Sequence, residues 1–191
     1  MTDFQMSKSE LFFYHHRPRI TIVCALAVLY WANPTPLSIV IGAMVVVLGE
    51  AGRTWASGYI DKDLKLATSG PYAFSRNPLY VFNCTMFVGF AMMAANPIVA
   101  VLTTFAFLLI YIPVIRIEAR KMESLFGEDY ALWSKYVPLF FPRLTPYRGE
   151  DKRKHSFKLV FEHREHIHWF TVSLALLLFY GYYCLMTYYW N

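Results

Sequence analysis

The chain has 191 residues, of which 57% are hydrophobic, 18% aromatic and only 16% charged, and its formal net charge is +5. Such a large apolar share excludes an ordinary soluble domain and predicts a polytopic membrane protein. Several spans in a chain of this length leave no room for a separate soluble domain of typical size, so residues 1–191 are predicted to form one integral-membrane domain.

The first predicted element is a helical hairpin. Two apolar runs, residues 20–32 and 37–49, are separated only by residues 33–36, which include two prolines. The first run has the length of a signal-peptide core, but the second follows so closely that a tight hairpin without cleavage is the better interpretation. The second helix is expected to continue through Glu50 and Arg53, which lie three residues apart and share a helix face.

A turn-rich stretch, GPYAFSRNPLY at residues 70–80, opens onto the third apolar run, and a helix is predicted to begin near Pro78. Arg76 stands just ahead of that start. An arginine beside the free backbone N–H groups of a helix start makes an anion site. The third span is predicted over residues 79–95.

The fourth span, residues 97–115, follows a turn at Asn96 and is expected to extend past the membrane until Gly127 ends it. A short new helix is expected after Gly127. The fifth span covers residues 167–190. The predicted fold is therefore all-α, with about five transmembrane helices.

All 18 Lys and Arg residues lie in the N-terminal segment, in the segment between spans two and three, or in residues 116–164. The positive-inside rule then predicts a chain that runs N-in and C-out, with its polar segments in the cytoplasm. This topology explains the net charge, although attraction to anionic lipid headgroups is an alternative. Nucleic acid is not an expected partner because no recognised binding motif accompanies the charge.

No metal site is predicted from spacing. His163 and His166 in EHREHIHW would share a helix face with Glu162 and Glu165 nearby, but solvated imidazoles at a membrane interface are the favoured interpretation. The cysteines lie in apolar runs without paired spacing and are interpreted as small buried side chains: Cys24, Cys84 and Cys184.

Two stretches carry a resemblance to a known family. GPYAFSRNPLY is followed, one membrane hairpin later, by IEARKMESLFGEDYALWSKYVPLFFP, and the match extends back through GRTWASGYIDKDLKLATSG. Residues 42–143 thus resemble the isoprenylcysteine carboxyl methyltransferase and phospholipid methyltransferase family of integral-membrane, S-adenosylmethionine-dependent enzymes. The remainder, residues 144–191, is a basic linker and an extra span, which either contributes to headgroup recognition or packs as a structural helix.

The resemblance implies a cofactor pocket at the cytoplasmic lip of the membrane. Arg76 would bind the carboxylate of S-adenosylmethionine, and Glu118 would hold its ammonium or balance its sulfonium. Periodicity alone slightly favours a simple ion pair of Glu118 with Lys121. Members of the family typically carry Arg-His-Pro and Glu-Glu where this chain has Asn77 and Ala119, so a histidine base at position 77 is excluded. The implied cofactor-binding residues are Leu66, Tyr72, Arg76, Asn77, Pro78, Tyr80 and Glu118.

The implied acceptor is a lipid or lipid-tailed molecule that enters sideways from the bilayer. The missing histidine and the basic linker favour O-methylation of an anionic headgroup, phosphate or carboxylate, with N-methylation of a phospholipid amine as the alternative. Arg53 either orients that headgroup, as a third catalytic residue beside Arg76 and Glu118, or pairs with Glu50. The departures at Asn77 and Ala119 keep open a non-catalytic scaffold. The membrane would be the plasma or inner membrane in a bacterium and the endoplasmic reticulum in a eukaryote.

Overall fold

A computed structural model describes residues 16, 22–24, 26–61 and 64–190, the last of them without its side chain. Among these residues the fold is helical and contains no strand, only an isolated bridge between Asp61 and Lys65. The all-α prediction is therefore confirmed. The helices are α1 (Ile22–Trp31), α2 (Pro36–Ser57), α3 (Pro78–Ala94), α4 (Pro97–Ser134), α5 (Phe157–Glu162) and α6 (Glu165–Trp190), with a 3-10 turn at Gly70–Ala73.

Local sequence sets the start of α2. The Thr35 hydroxyl accepts a hydrogen bond from the Ser38 N–H, and the Ser38 hydroxyl accepts one from the Thr35 N–H. This reciprocal pair is a capping box, and Pro36 occupies the first helical position, where its missing N–H costs nothing. Because α2 runs to Ser57, the prediction that it continues through Glu50 and Arg53 is confirmed.

The next helix boundaries also follow their turn residues. Helix α3 begins at Pro78, as predicted, and Asn96 caps α4 by accepting hydrogen bonds from the Ile98 and Val99 N–H groups. Gly127 has φ 48° and ψ −118°, so it separates α4 into two helical stretches, as its position predicted.

Helices α2 and α3 pack with their backbones in close approach. A Cβ on Gly42 would lie 2.5 Å from the Gly89 carbonyl oxygen, and one on Gly89 would lie 2.8 Å from the Val46 nitrogen. A Cβ on Gly49 would meet the Met86 nitrogen at 3.0 Å. Small residues are the usual means of close helix association in lipid, where apolar burial supplies little driving force.

The two short turns of the bundle lie at one end. The Asn33 N–H donates to the Ala94 carbonyl at 2.8 Å, and the Asn96 side chain donates to the Trp31 carbonyl at 2.7 Å. The helices α1 to α4 therefore alternate in direction, and the opposite end of the bundle carries the polar segments. Which end faces the cytoplasm stays a prediction.

Three described helices, α2, α4 and α6, are long and apolar enough to cross a membrane, whereas α1 and α3 are shorter apolar helices. The predicted count of about five spans is reached only when these two are included. Helix α6 covers the predicted fifth span.

The predicted histidine face is wrong. Helix α5 ends at Glu162, and Arg164 has φ 58°, so the chain breaks before α6 begins at Glu165. His163 and His166 consequently do not belong to one helix. The His163 ring lies against the Ser57 carbonyl, with Nδ1 at 3.3 Å from the oxygen.

Candidate active site

The stretch before α3 is held by the segment that follows α4. The Arg76 N–H donates to the Pro138 carbonyl at 2.9 Å, and the Asn77 side-chain amide donates to the Leu139 carbonyl at 2.9 Å. The Ser75 hydroxyl donates to the Phe140 carbonyl at 2.8 Å. These bonds join the two stretches on which the family resemblance rests and fix the direction in which Arg76 leaves the backbone.

Arg76 is held against Tyr130. Its Nη1 donates to the Tyr130 hydroxyl at 3.0 Å, and its guanidinium carbon lies 5.6 Å from the centre of the same ring. Its Nε atom is buried and has no hydrogen-bond partner among the described residues. Tyr130 therefore occupies the Nη1 donor and one face of the guanidinium, whereas the Nε donor has no partner among the described residues.

Tyr130 belongs to a group of buried residues that we call the aromatic cluster: Ala56, Tyr72, Tyr130, Trp133 and Val137. Two further polar atoms in this cluster, the Tyr72 hydroxyl and the Trp133 Nε1, are buried without a partner in the part of the chain that the structure describes. A buried donor that forms no hydrogen bond costs about 1–3 kcal/mol. Three such donors, with Arg76 Nε, therefore lie in or beside one cluster.

The pKa of Tyr72 depends on its burial and on the charges around it. Burial raises the pKa of its phenol well above the usual range, and the negative charge of Glu118 raises it further. Tyr72 consequently stays protonated and can donate a hydrogen bond at any physiological pH.

Glu118 projects from α4 towards the start of α3. The Tyr80 hydroxyl donates to its Oε1 at 2.5 Å, a short charge-assisted bond. The next residue, Ala119, packs against the aromatic cluster together with Leu66 and Met122. The carboxylate therefore lies at the edge of an apolar surface, beside a tyrosine that orients it.

The backbone around Leu66 is held by residues of the linker that precedes α5. The Arg153 guanidinium donates to the Leu66 carbonyl and to the Asp151 carboxylate, and the Thr68 N–H donates to Asp151 at 3.0 Å. Burial opposes ionisation of Asp151, but these hydrogen bonds outweigh it and hold its pKa at about 2. Gly70, at φ 57°, turns the chain under the Tyr59 ring, which a Cβ would meet at 2.5 Å.

A second polar group joins α2 to α6, which run antiparallel. Arg53 donates to both oxygens of Glu165, at 3.0 and 3.2 Å, and to the Asn83 side-chain oxygen at 2.8 Å. One turn away, His168 Nδ1 lies 2.8 and 3.0 Å from the two Glu50 oxygens. We call these five residues the α2–α6 ladder. Arg53 thus pairs with Glu165 and not with Glu50.

The structure brings together several of the predicted site residues. Leu66 and Tyr72 meet in the aromatic cluster, Arg76 contacts Tyr130 of that cluster, and Tyr80 holds Glu118. The Asn77 side chain bonds to a backbone carbonyl, and Pro78 forms the first turn of α3, so the two residues shape the backbone here.

Sequence reasoning did not single out Tyr130 and Trp133, although both lie in the quoted GEDYALW stretch. Their spacing of three residues on a helix was the available signal. It also missed Glu165, His168, Asn83 and Asp151 as partners in the site, because no local pattern links them to residues 50–76.

The fold and the site define a polytopic helical membrane protein with a cluster of buried aromatic residues, some of whose polar atoms have no partner among the described residues. Residues 37–129 match the family model described as phospholipid methyltransferase. The resemblance that the sequence suggested is therefore confirmed for this segment. It includes Arg53, the stretch around Arg76, and Glu118. No solved structure matches the chain significantly.

Two curated proteins are similar to this chain. The cobalt-zinc-cadmium resistance protein CzcN of Cupriavidus metallidurans is 41% identical over 119 residues, which cover 61% of this chain and 55% of that protein. The nickel-cobalt-cadmium resistance protein NccN of Alcaligenes xylosoxydans xylosoxydans is 38% identical over 125 residues, covering 63% of this chain and 56% of that protein. The chain thus spans little more than half the length of either relative.

Proposed function

We propose that this protein is an S-adenosylmethionine-dependent methyltransferase that acts on a lipid or lipid-tailed acceptor. One observation carries the proposal: three buried donors in or beside one aromatic cluster, the Tyr72 hydroxyl, Arg76 Nε and Trp133 Nε1, have no partner among the residues that the structure describes. Buried polar groups are rarely left unpaired in folded proteins. The family match of residues 37–129 indicates which kind of ligand would pair them.

The residues present fit this cofactor. Arg76 would bind its carboxylate through the free Nε donor, and Glu118 would hold its ammonium or balance its sulfonium. Leu66 and the rings of Tyr72 and Trp133 would enclose the adenosine and exclude water. When bound, S-adenosylmethionine supplies an electrophilic methyl group.

We further propose that the acceptor is an anionic headgroup, a phosphate or a carboxylate. Such a group arrives ionised, so no residue has to remove a proton from it. An amine acceptor would require a base, and the side chain at position 77 is a neutral amide that is bonded to Leu139. Arg53 would supply positive charge near the acceptor while keeping its contacts with Glu165 and Asn83. The positive-inside rule assigns this end of the bundle to the cytoplasm.

The test uses the purified full chain in lipid nanodiscs with methyl-labelled S-adenosylmethionine. Lipid and protein fractions are extracted separately and then treated with mild base. We expect label in the lipid fraction for the wild type and about a 10- to 150-fold loss of transfer for Glu118→Gln, since a bond to a charged group contributes about 1.5–3 kcal/mol. The matched control is Glu128→Gln, at an exposed position of α4 just beyond the break at Gly127.

The outcomes separate the alternatives. Methanol released by base identifies a carboxyl ester, whereas a base-resistant product is assigned to a phosphate ester or to an amine by mass spectrometry. Folded protein that binds S-adenosylmethionine without transferring label to any supplied lipid would contradict a lipid acceptor. Folded protein that does not bind it at all would favour the non-catalytic scaffold and overturn the proposal.

The names of the two relatives motivate a second, physiological proposal. Both are named as resistance proteins for divalent metals. We propose that methylation by this chain contributes to survival under such metals. Cells that express the wild type should outgrow cells that express Glu118→Gln on cobalt or zinc medium and match them without metal. Equal growth on both media would refute the link.

A further inference from the structure

Three side chains of the α2–α6 ladder that can bind a metal ion, two carboxylates and one imidazole, meet at one point. Glu50 lies on α2, and Glu165 and His168 lie three residues apart on α6, so both α6 side chains face α2. One ligand atom from each of the three residues lies within 4.8 Å of the other two. The Trp169 Nε1 donates to the Thr54 hydroxyl at 2.8 Å, which fixes the register of the two helices.

These separations suit a bound ion after a small movement. Carboxylate oxygens and imidazole nitrogens bind zinc at about 2.0–2.2 Å, so two ligands of a tetrahedral ion lie roughly 3.3 Å apart. The Glu50 oxygens and His168 Nδ1, at 2.8 and 3.0 Å, are already slightly closer than this. The remaining separations must shorten by about 1.5 Å at most, which side-chain rotation can supply.

The charges present are compatible with a cation here. The ladder contains two carboxylates and a single guanidinium. Its carboxylates are largely shielded from solvent, since the Glu165 and Glu50 side chains are 5% and 14% exposed. Asn83, the remaining member, is neutral and accepts from Arg53.

The existing ion pair does not block a metal. Arg53 occupies one lone pair on each Glu165 oxygen, and each oxygen has a second lone pair. Ligating carboxylates are commonly hydrogen-bonded by an outer shell of residues that orients them. Arg53 and Asn83 would form that outer shell.

The site is accessible. Glu50 lines a cleft of about 480 Å³ between α2 and α6, together with apolar residues and Thr54, Trp169 and Ser173. The His168 side chain is also 32% exposed, which leaves an ion a route to the ring, and a water molecule can occupy the open coordination position of such an ion.

We propose that Glu50, Glu165 and His168 form a binding site for one divalent transition-metal ion of the zinc and cobalt class. An imidazole ligand favours such ions over magnesium and calcium, which prefer oxygen ligands alone. The site departs from the sequence-based expectation of no metal, and it is separate from the residues proposed to bind the methyl donor. It joins the family segment to the C-terminal helix, so a bound ion would lock α6 onto α2.

The experiment titrates Co²⁺ into the purified full chain in detergent and follows the visible ligand-field absorption, with Zn²⁺ as competitor. We expect one equivalent of Co²⁺ to bind and Zn²⁺ to displace it. His168→Asn and Glu50→Gln should each weaken binding tenfold or more, by analogy with the roughly 10- to 100-fold losses seen on removing even outer-shell partners. The matched controls are His166→Asn and Glu162→Gln, exposed positions in the same region, and they should leave binding unchanged.

A second measurement guards against variants that simply misfold. Zn²⁺ should raise the thermal unfolding midpoint of the wild type and of both controls, but not that of His168→Asn. The proposal is overturned if the wild type shows no Co²⁺ band and no thermal shift, or if the controls lose binding as much as the ladder variants do. None of these readouts depends on methyl transfer, so they remain decisive if the proposed enzymatic function fails.

Discussion

The aromatic cluster and the α2–α6 ladder handle buried polar groups in opposite ways. In the ladder each charged side chain has a partner within 3.2 Å, from Arg53 with Glu165 and Asn83 to His168 with Glu50. In and beside the cluster, three buried donors have none among the described residues. A fully hydrogen-bonded network can stabilise a fold by itself, whereas buried donors without partners destabilise the fold until a ligand binds. The contrast separates a junction between helices from a candidate binding pocket.

Among substitutions in the α2–α6 ladder, Glu165→Ala is expected to lower stability most. The Glu165 side chain is 5% exposed and accepts two hydrogen bonds from Arg53, so its loss would leave the guanidinium without its counter-charge. We expect the free energy of unfolding to fall by roughly 3 kcal/mol, the lower end for a broken buried pair. Thermal unfolding in detergent, followed by helix content, measures this.

A double substitution sharpens that test. Arg53→Met combined with Glu165→Leu removes both charges, and stability should recover to within about 1 kcal/mol of the wild type. If Glu165→Ala alone costs nothing, the ladder does not hold α6 to the core, and the contrast with the aromatic cluster disappears.

The cluster predicts the reverse behaviour for Tyr72→Phe. Removing a buried hydroxyl that has no partner in the described part of the chain should raise the stability of the ligand-free protein by about 1 kcal/mol. The same change should weaken binding of S-adenosylmethionine about fivefold, if one neutral hydrogen bond of about 1 kcal/mol is lost. Thermal unfolding and calorimetric titration of the same samples measure both effects.

Trp133→Phe is the parallel variant, since it too removes a buried donor. Tyr136→Phe, at an exposed site on the same stretch, is the control and should change neither quantity. Loss of ligand-free stability in both cluster variants would show that the donors are satisfied in solution, which contradicts their assignment to a ligand.

The smallest expected effect concerns acid. The pKa of Asp151 lies at about 2 in the folded protein, below its ordinary value of 3.8, so its contribution to stability is complete above pH 4. That contribution is lost as the pH falls from about 4 through 2. The stability difference between wild type and Asp151→Asn should therefore shrink over this window. The control is Glu150→Gln, at an exposed neighbouring position. If the stability difference between wild type and Glu150→Gln shrinks equally over this window, the effect comes from general protonation and not from Asp151.

Much of the fold follows from local signals in the sequence. Proline at positions 36, 78 and 97 and the caps Thr35 and Asn96 mark helix starts, and Gly127 marks a break. These residues act through their own backbone, so their effect is visible without knowledge of the neighbours. The family stretches likewise pointed to Arg76 and Glu118 before their contacts were known.

The partners of those residues could not be predicted in the same way. The alternative of an Arg53 pair with Glu50 used helix spacing, yet the structure pairs Arg53 with Glu165, 112 residues away. Periodicity reports which side chains share a helix face but not which helix packs against that face. The break at Arg164 was also not predicted, because a positive φ at an arginine has no local sequence signature.

The hydrogen bonds of Arg76, Asn77 and Ser75 to residues 138–140 also have a consequence for biogenesis. They close loops of more than 60 residues, and the bond from Thr68 to Asp151 closes one of 83. Contacts of such long sequence separation form late in folding. A nascent chain that has inserted its first four helices would still lack the backbone partners of Arg76. The hydrogen bonds that hold the Arg76 stretch and the Thr68 backbone would therefore form only after the linker to α6 has left the ribosome.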